Sequence, residues 1–311
     1  MAEPSSSQRT PTADLTRLLS ERYAAVRAQR PGEGRRKWRL RVAEEFWAMS
    51  PTQKEAYAAK PPLSAAHAEA ADFSTDDDPL DDVSVDAPGL GVLVRTDFSN
   101  EEAWQAFCAK LQDAEREYAS DETPMVVESA AAEGSGSAAG AEKAQDADES
   151  EDASMDVEDE EESEADASTV FYVLNDPARR TLFDGASNLT ALRLLNDVEI
   201  RRAPTPAPGT ARIKPPNRLV DHDGWQEVYV GKTVWIYDAK SNTDQCVRLV
   251  SQHGAMYGTA TADSWRARVS HICELQVNLA SGAMTIDFGG MDRWDYPERV
   301  RNMEEANRPL S

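Results

Sequence analysis

The side chains with the most evident chemistry near the start of the chain are cations. Arg35, Arg36, Lys37, Arg39 and Arg41 fall within seven consecutive positions, and Arg17 and Arg22 precede them. A row of guanidinium groups suits phosphate oxygens, because each offers a planar fork of donors and each neutralised phosphate releases counterions. A second set is smaller: Arg95 and Asp97 in "LVRTDFS", and Asp287 in "TIDFGG". These stand where apolar runs stop, the position at which many α/β proteins place ligand-handling groups. A plainer reading stands beside it, with Asp97 as a turn or helix-start residue and Arg95 as its partner.

Other chemistries find no residues to carry them. His67, His222, His253 and His271 have no metal-site spacing, and Cys108, Cys246 and Cys273 are too dispersed for a zinc ribbon and too few for a disulfide framework. The cysteines are expected to be reduced and mostly buried, and neither a metal nor a cofactor is expected. G-x-G-x-x-G, G-x-x-x-x-G-K-[ST] and G-x-S-x-G are all missing from the sequence. No catalytic residue is therefore assigned. No apolar run approaches the roughly 20 residues that span a bilayer, so no membrane partner is expected, and "MAEPSSSQRTPTADL" has no secretory signal character.

The formal charge of the 311 residues is −23, but it is unevenly placed. Residues 1–60 hold twelve Lys/Arg against seven Asp/Glu and are net +5; residues 133–166 hold fifteen Asp/Glu against Lys143 alone and are net −14. With Gly, Ala and Ser between its charges, the second stretch has too little to bury to offset its ordering entropy, and disorder is expected there. "DFSTDDDPLDDVSVDAPG" reads as an acidic linker.

Three helices are predicted around the cations. Leu15, Leu18, Tyr23 and Val26 fit one face of a helix ending before "RPGEG". After Gly34, Trp38, Val42 and Phe46 stand four apart and form a stripe on a second helix. Ser50 is a natural N-cap and Pro51 suits the first position of a third helix. Leu15, Leu18, Trp38, Val42, Phe46, Met49 and Tyr57 would be the small core, with Arg35, Arg36, Arg39 and Arg41 turned outward.

From Pro11 to Lys60 these residues resemble the HMG-box family. Pro31 matches the proline between its first two helices, Phe46 stands at its usual tryptophan, and "FWAMSPTQKEAYAAK" is similar to its aromatic-x-x-Leu/Met-Ser-Pro-x-x-Lys-x-x-Tyr passage. Fungal boxes are the nearest in character. The resemblance implies a bent three-helix fold in the DNA minor groove, bound through Arg17, Arg22, Arg35, Arg36, Lys37, Arg39 and Arg41, and a nuclear location, with the cytoplasm as the alternative. Ala13 replaces the base-contacting asparagine, Thr16 the apolar wedge, and Pro61–Pro62 stop the third helix early, so the implied binding is not sequence-specific.

Beyond Leu90, "GVLVRTDFS", "TVFYVLND" and "AMTIDFGG" read as strands. Trp104, Phe107, Leu111, Ala114 and Tyr118 line one helical face. "PARRTLFDGASNLTALRLLNDVEI" reads as helix-like, "EVYVGKTVWIYDAKSNTDQCVRLVSQ" as paired strands turning at Gly231 and at 240–244, and "DSWRARVSHICELQVNL" as a helix with Trp265, Val269, Ile272 and Leu279 on one face. "LVRTDFSNEEAW" resembles the opening of an uncharacterised domain family of bacterial and fungal proteins, which implies a fold and no activity. The expected class is α+β: a three-helix module, then a mixed α/β layered domain interrupted by the acidic insertion. The expected division is 1–10 tail, 11–62 module, 63–89 linker, 90–128 and 169–311 α/β domain, and 129–168 insertion.

Three functional readings follow. The first is a non-enzymatic protein whose module binds DNA under control of the acidic insertion, while the α/β domain binds an unidentified protein. In the second the basic unit binds acidic protein surfaces, its own included, and no DNA. The third is an enzyme with a site near Arg95 and Asp97.

Overall fold

The computed structural model describes residues 14–60, 76–121, 169–289 and 295–310. The tail 1–10, Ala13, Pro61, Pro62, His67, "PMVVES", the insertion 129–168 and Trp294 lie outside the described residues.

Helices precede a mixed sheet, as the class expected from the sequence requires. They are α1 (Asp14–Gln29), α2 (Arg35–Trp47) and α3 (Pro51–Ala58). Ser50 caps α3 in a full capping box: its hydroxyl accepts from the Gln53 N–H and the Gln53 side chain accepts from the Ser50 N–H, while Pro51 sits where no donor is needed. Next come β1 (Gly91–Arg95), α4 (Glu101–Asp121), β2 (Phe171–Leu174), a helical turn at Pro177–Arg179 running into α5 (Arg180–Phe183), and α6 (Asn188–Leu195). The chain continues through β3 (Asp197–Arg202), β4 (Trp225–Val230), β5 (Thr233–Tyr237), α7 (Ser241–Asp244), β6 (Cys246–Val250), β7 (Ser264–Arg268), α8 (Ile272–Ala280) and α9 (Tyr296–Ala306).

Among the described residues five strands make one sheet in the order β2-β1-β5-β6-β7. β1 is parallel to both β2 and β5, whereas β6 and β7 run antiparallel to their neighbours. Strand alternation divides the sheet's side chains between two cores. Leu93, Trp235 and Tyr237 pack with Trp104, Phe107 and Leu111 of α4 and Ile272 of α8. Val92, Val94, Val234 and Ile236 pack with Leu189, Leu192 and Leu195 of α6. The connection from β1 to β2 therefore covers one face and the connection from β2 to β5 the other.

The second core also contains the N-terminal helices. Leu15, Leu18, Trp38, Val42 and Phe46 belong to the cluster that includes Val198, Ile200, Leu219 and Trp225. Phe46 is fully buried with its ring edge-on to Trp225, centroids 5.3 Å apart. Met49 and Tyr57 are part-buried at its margin. The self-contained core expected for residues 11–62 is thus continuous with the core of the layered domain, because the apolar stripe of α2 meets the β3–β4 hairpin and α6.

Several local expectations are corrected. β4 does not turn back on β5 at Gly231; it pairs antiparallel with β3, and β5 pairs with β6 across the 241–244 turn. Residues 177–200 break into short helices and a strand, with Gly185 at φ +66° between α5 and α6. "DSWRARV" begins as β7 before α8, and residues 283–288 form no strand. Among the described residues no helix is long and apolar enough to cross a membrane.

Candidate functional site

The basic helix was expected to face outward, and the structure corrects this. Arg35 and Arg36, in the first turn of α2, are only 5% and 3% exposed. Residues 76–84, expected as a linker, fold over them as an acidic strap anchored by buried Leu80 and Val83. Arg36 Nη1 donates to Asp78 Oδ1 at 2.7 Å, and Nη2 to Asp81 Oδ1 at 2.7 Å and Ser84 Oγ at 2.6 Å. Arg35 holds both oxygens of Asp81, at 2.8 and 2.9 Å, and the Asp76 carbonyl at 2.9 Å. Burial pushes the Asp81 carboxyl up, but the hydrogen bond from Arg35 and the charges of Arg36 and Arg35 outweigh it and hold the group below the usual carboxylate range. Gly34, the N-cap, is where the strap comes closest: a Cβ there would collide with Asp78 and Pro79.

The other cations named from sequence are placed as follows. Arg39 lies near Asp197, at 3.8 Å, and donates to the Val198 carbonyl. Arg41 grips Glu33 with two bonds of 2.5 Å. Lys37 is 45% exposed and 3.7 Å from Glu33, and the exposed Arg22 pairs with Glu45 at 2.7 Å. Arg17 is half-buried on α1. Sequence reading missed Lys54, whose fully buried ammonium lies 3.0 Å from His222 Nδ1, 3.3 Å from Asp223 Oδ2 and 5.3 Å from the centre of the Trp47 ring. Burial, then the Lys54 charge, hold the His222 imidazole below its ordinary value despite Asp223.

At the end of β1 the structure brings Arg95 and Asp97 together and leaves Asp287 out. Arg95 Nε donates to the Asp97 carbonyl at 2.9 Å, while Nη1 reaches Glu101 Oε2 at 2.8 Å and Asn175 Oδ1 at 3.3 Å. The Asp97 carboxylate accepts from Ser99 and from Asn242 Nδ2; burial raises its pKa, and these bonds more than reverse that. Asp287 closes its own turn by accepting from the Gly289 N–H at 2.8 Å, beside Met256 and Thr259. Glu101, Asn175, Phe98 and Arg180 are members of this site that no sequence motif marks.

The cysteine thiols are not activated nucleophiles. Burial pushes the Cys108 thiol up to about 11 and the Cys273 thiol up to about 12, so both stay protonated at neutral pH. All three cysteines are free; Cys273 is buried and Cys108 and Cys246 half-buried. Among the described residues no group of three or more His, Cys, Asp or Glu side chains is arranged to hold a metal. His271 is exposed at the foot of α8. Comparison with protein-family models, with curated proteins and with solved structures found no match. The HMG-box and bacterial–fungal resemblances therefore rest on the sequence passages that suggested them.

Proposed function

We propose that the protein is a non-enzymatic binding protein that acts through protein contacts, with the arginine-rich helix serving as a receptor for acidic polypeptide rather than for DNA. In this reading the chain's own strap occupies the receptor in cis. The observation that carries it is the coordination of Arg36. One guanidinium 3% exposed is met by two carboxylates and a hydroxyl from a single seven-residue stretch, Asp78 to Ser84. A DNA phosphate could reach Arg35 and Arg36 only by expelling Leu80 and Val83 from the core, a cost that phosphate contacts alone do not return.

Two measurements test this. In a mobility-shift assay the full chain is expected to leave a short mixed-sequence duplex unretarded at low salt. Salt-sensitive retardation that weakens in Arg22→Ala or Lys37→Ala would overturn the proposal. In the second, Asp78→Ala/Asp81→Ala is thermally destabilised and a synthetic peptide of residues 76–84 added in trans raises its Tm again, by mass action on the folded state. A peptide with Asp78 and Asp81 replaced by Ala is expected to have no effect; equal rescue by both peptides would count against a charge-reading receptor.

A further inference from the structure

A different place, independent of the basic helix, has the marks of a ligand site. β1 lies between two parallel neighbours, and its connection leaves toward α4 on one face while that of β2 leaves toward α6 on the other. Where successive connections depart to opposite faces, the carboxyl ends of the two strands bound a crevice. Arg95 closes β1 there and Asn175 follows β2. The Arg95 side chain is 2% exposed, and its guanidinium carbon lies 4.7 Å from the Phe98 ring centre and 4.8 Å from that of Trp104. Its Nη2 is buried and has no hydrogen-bond partner among the described residues. Leaving a charged donor idle in the interior is costly; Arg36 also has one idle nitrogen, its Nε, but both of its outer nitrogens are taken by the strap, whereas at Arg95 the idle atom is an outer one.

The counter-charge on Arg95 is not a structural fixture. Glu101 is 62% exposed and shares its carboxylate with Gln105 Nε2, 2.8 Å away. Arg180, exposed, rests its guanidinium against the same Phe98 ring at 4.5 Å. Arg179, by contrast, is committed to Asp82 and Asp176. We propose that the β1–β2 crevice binds a small monocarboxylate, which displaces the Glu101 side chain from Arg95 and is held between Arg95 and Arg180. Asn175 gives its Oδ1 to Arg95 and keeps its amide nitrogen to donate to the ligand. The displaced group sets the class. A carboxylate already fits the fork, and with Glu101 displaced the two guanidinium groups against the Asp97 carboxylate leave a single unit of positive charge, which matches a monoanion better than a phosphate dianion. The Phe98 ring, on which both guanidinium groups rest, is the apolar surface beside them for the body of the ligand.

The probes are acetate, benzoate and inorganic phosphate, titrated into the full chain and followed by the amide resonances of residues 95–101. Acetate and benzoate are expected to give saturable shifts confined to this loop and to Asn175, with benzoate the tighter. Removing the competitor in Glu101→Gln should tighten binding about tenfold, and removing one charge-assisted contact in Arg180→Ala should weaken it about tenfold. Arg95→Lys keeps the charge but loses the fork, and is expected to abolish the response while retaining a single cooperative thermal transition. No saturable shift in the wild type or in Glu101→Gln would overturn the proposal. So would phosphate binding as tightly as benzoate, or affinities unchanged in Arg180→Ala.

Discussion

Arg36 and Arg95 are almost equally hidden, yet their surroundings differ. Arg36 meets Asp78, Asp81 and Ser84, and Arg35 beside it adds a two-bonded grip on Asp81. Arg95 meets one carboxylate that stands mostly in water, an amide oxygen and a main-chain carbonyl, with one nitrogen unused. Each leaves one buried nitrogen without a partner among the described residues, Nε in Arg36 and Nη2 in Arg95, but the first joins parts of the chain through largely buried carboxylates and the second rests on a carboxylate open to water. Burial of a cation is therefore not in itself a mark of function; how firmly its counter-charges are held away from water separates a fastener from a receptor.

The difference can be put at risk directly. Arg36→Met strands the buried Asp78 carboxylate and leaves Asp81 to Arg35 alone, and should cost about 3–5 kcal/mol, as broken buried ion pairs do, measured by urea unfolding. Arg95→Met leaves a solvated glutamate, an amide oxygen and a main-chain carbonyl without this donor but strands no buried charge, and should cost about 1 kcal/mol. Equal losses would erase the distinction drawn between the two sites. Phe46→Ala tests the shared core from the apolar side, with an expected loss of about 3–5 kcal/mol and one unfolding transition for helices and sheet together. Two separate transitions would show that residues 14–60 fold as their own unit.

A smaller effect comes from pH. Asp263 is buried beside Arg299, and burial outweighs that cation and raises its pKa to about 6. An unfolded aspartate titrates near 3.9. The folded chain thus holds this proton more tightly, and the contribution of Asp263 to stability is greatest below about pH 4 and is lost as pH rises through 6. Asp263→Asn should flatten that slope by about 2–3 kcal/mol between pH 4 and 7. Asp81 and Asp238 act oppositely. In each, burial raises the pKa but arginine hydrogen bonds and charges more than reverse it, so their stabilisation is present above about pH 4 and lost as pH falls through the folded values. Smallest of all, Arg22→Ala breaks an exposed pair with Glu45 and should change stability by less than about 0.5 kcal/mol.

Much of the local structure was legible. Ser50 and Pro51 announced the start of α3, "GVLVR" and "FYVL" announced strands, and the spacing from Trp104 to Ala114 gave the buried face of α4. These signals lie within a turn or a few residues of what they govern. What failed was partner choice. "EVYVGKTVWIYD" has the alternation and the glycine of a hairpin, but β3, brought in from residues 197–202, takes β4 instead. The strap was legible only as charge: five aspartates in "DDDPLDD" follow a basic segment of net +5, and that complementarity was the unused signal. At the strand ends, Arg95 and Asp97 stand out in sequence, but Asn175 is 80 residues away and enters only through the parallel pairing of β1 with β2.

The seat of α2 has a consequence for the order of events on the ribosome. Its contacts reach far ahead in the chain: Arg39 touches Val198, and Glu44 pairs with Arg218, 174 residues later. Helix propensity lets α2 coil as soon as it emerges, with Tyr23 of α1 already present to pack on Trp38, but the Trp225 surface that shields Phe46 is still unsynthesised. For that interval a nascent chain displays Phe46 to its surroundings, with Leu80 and Val83 of the strap the next buried members of its core cluster to emerge.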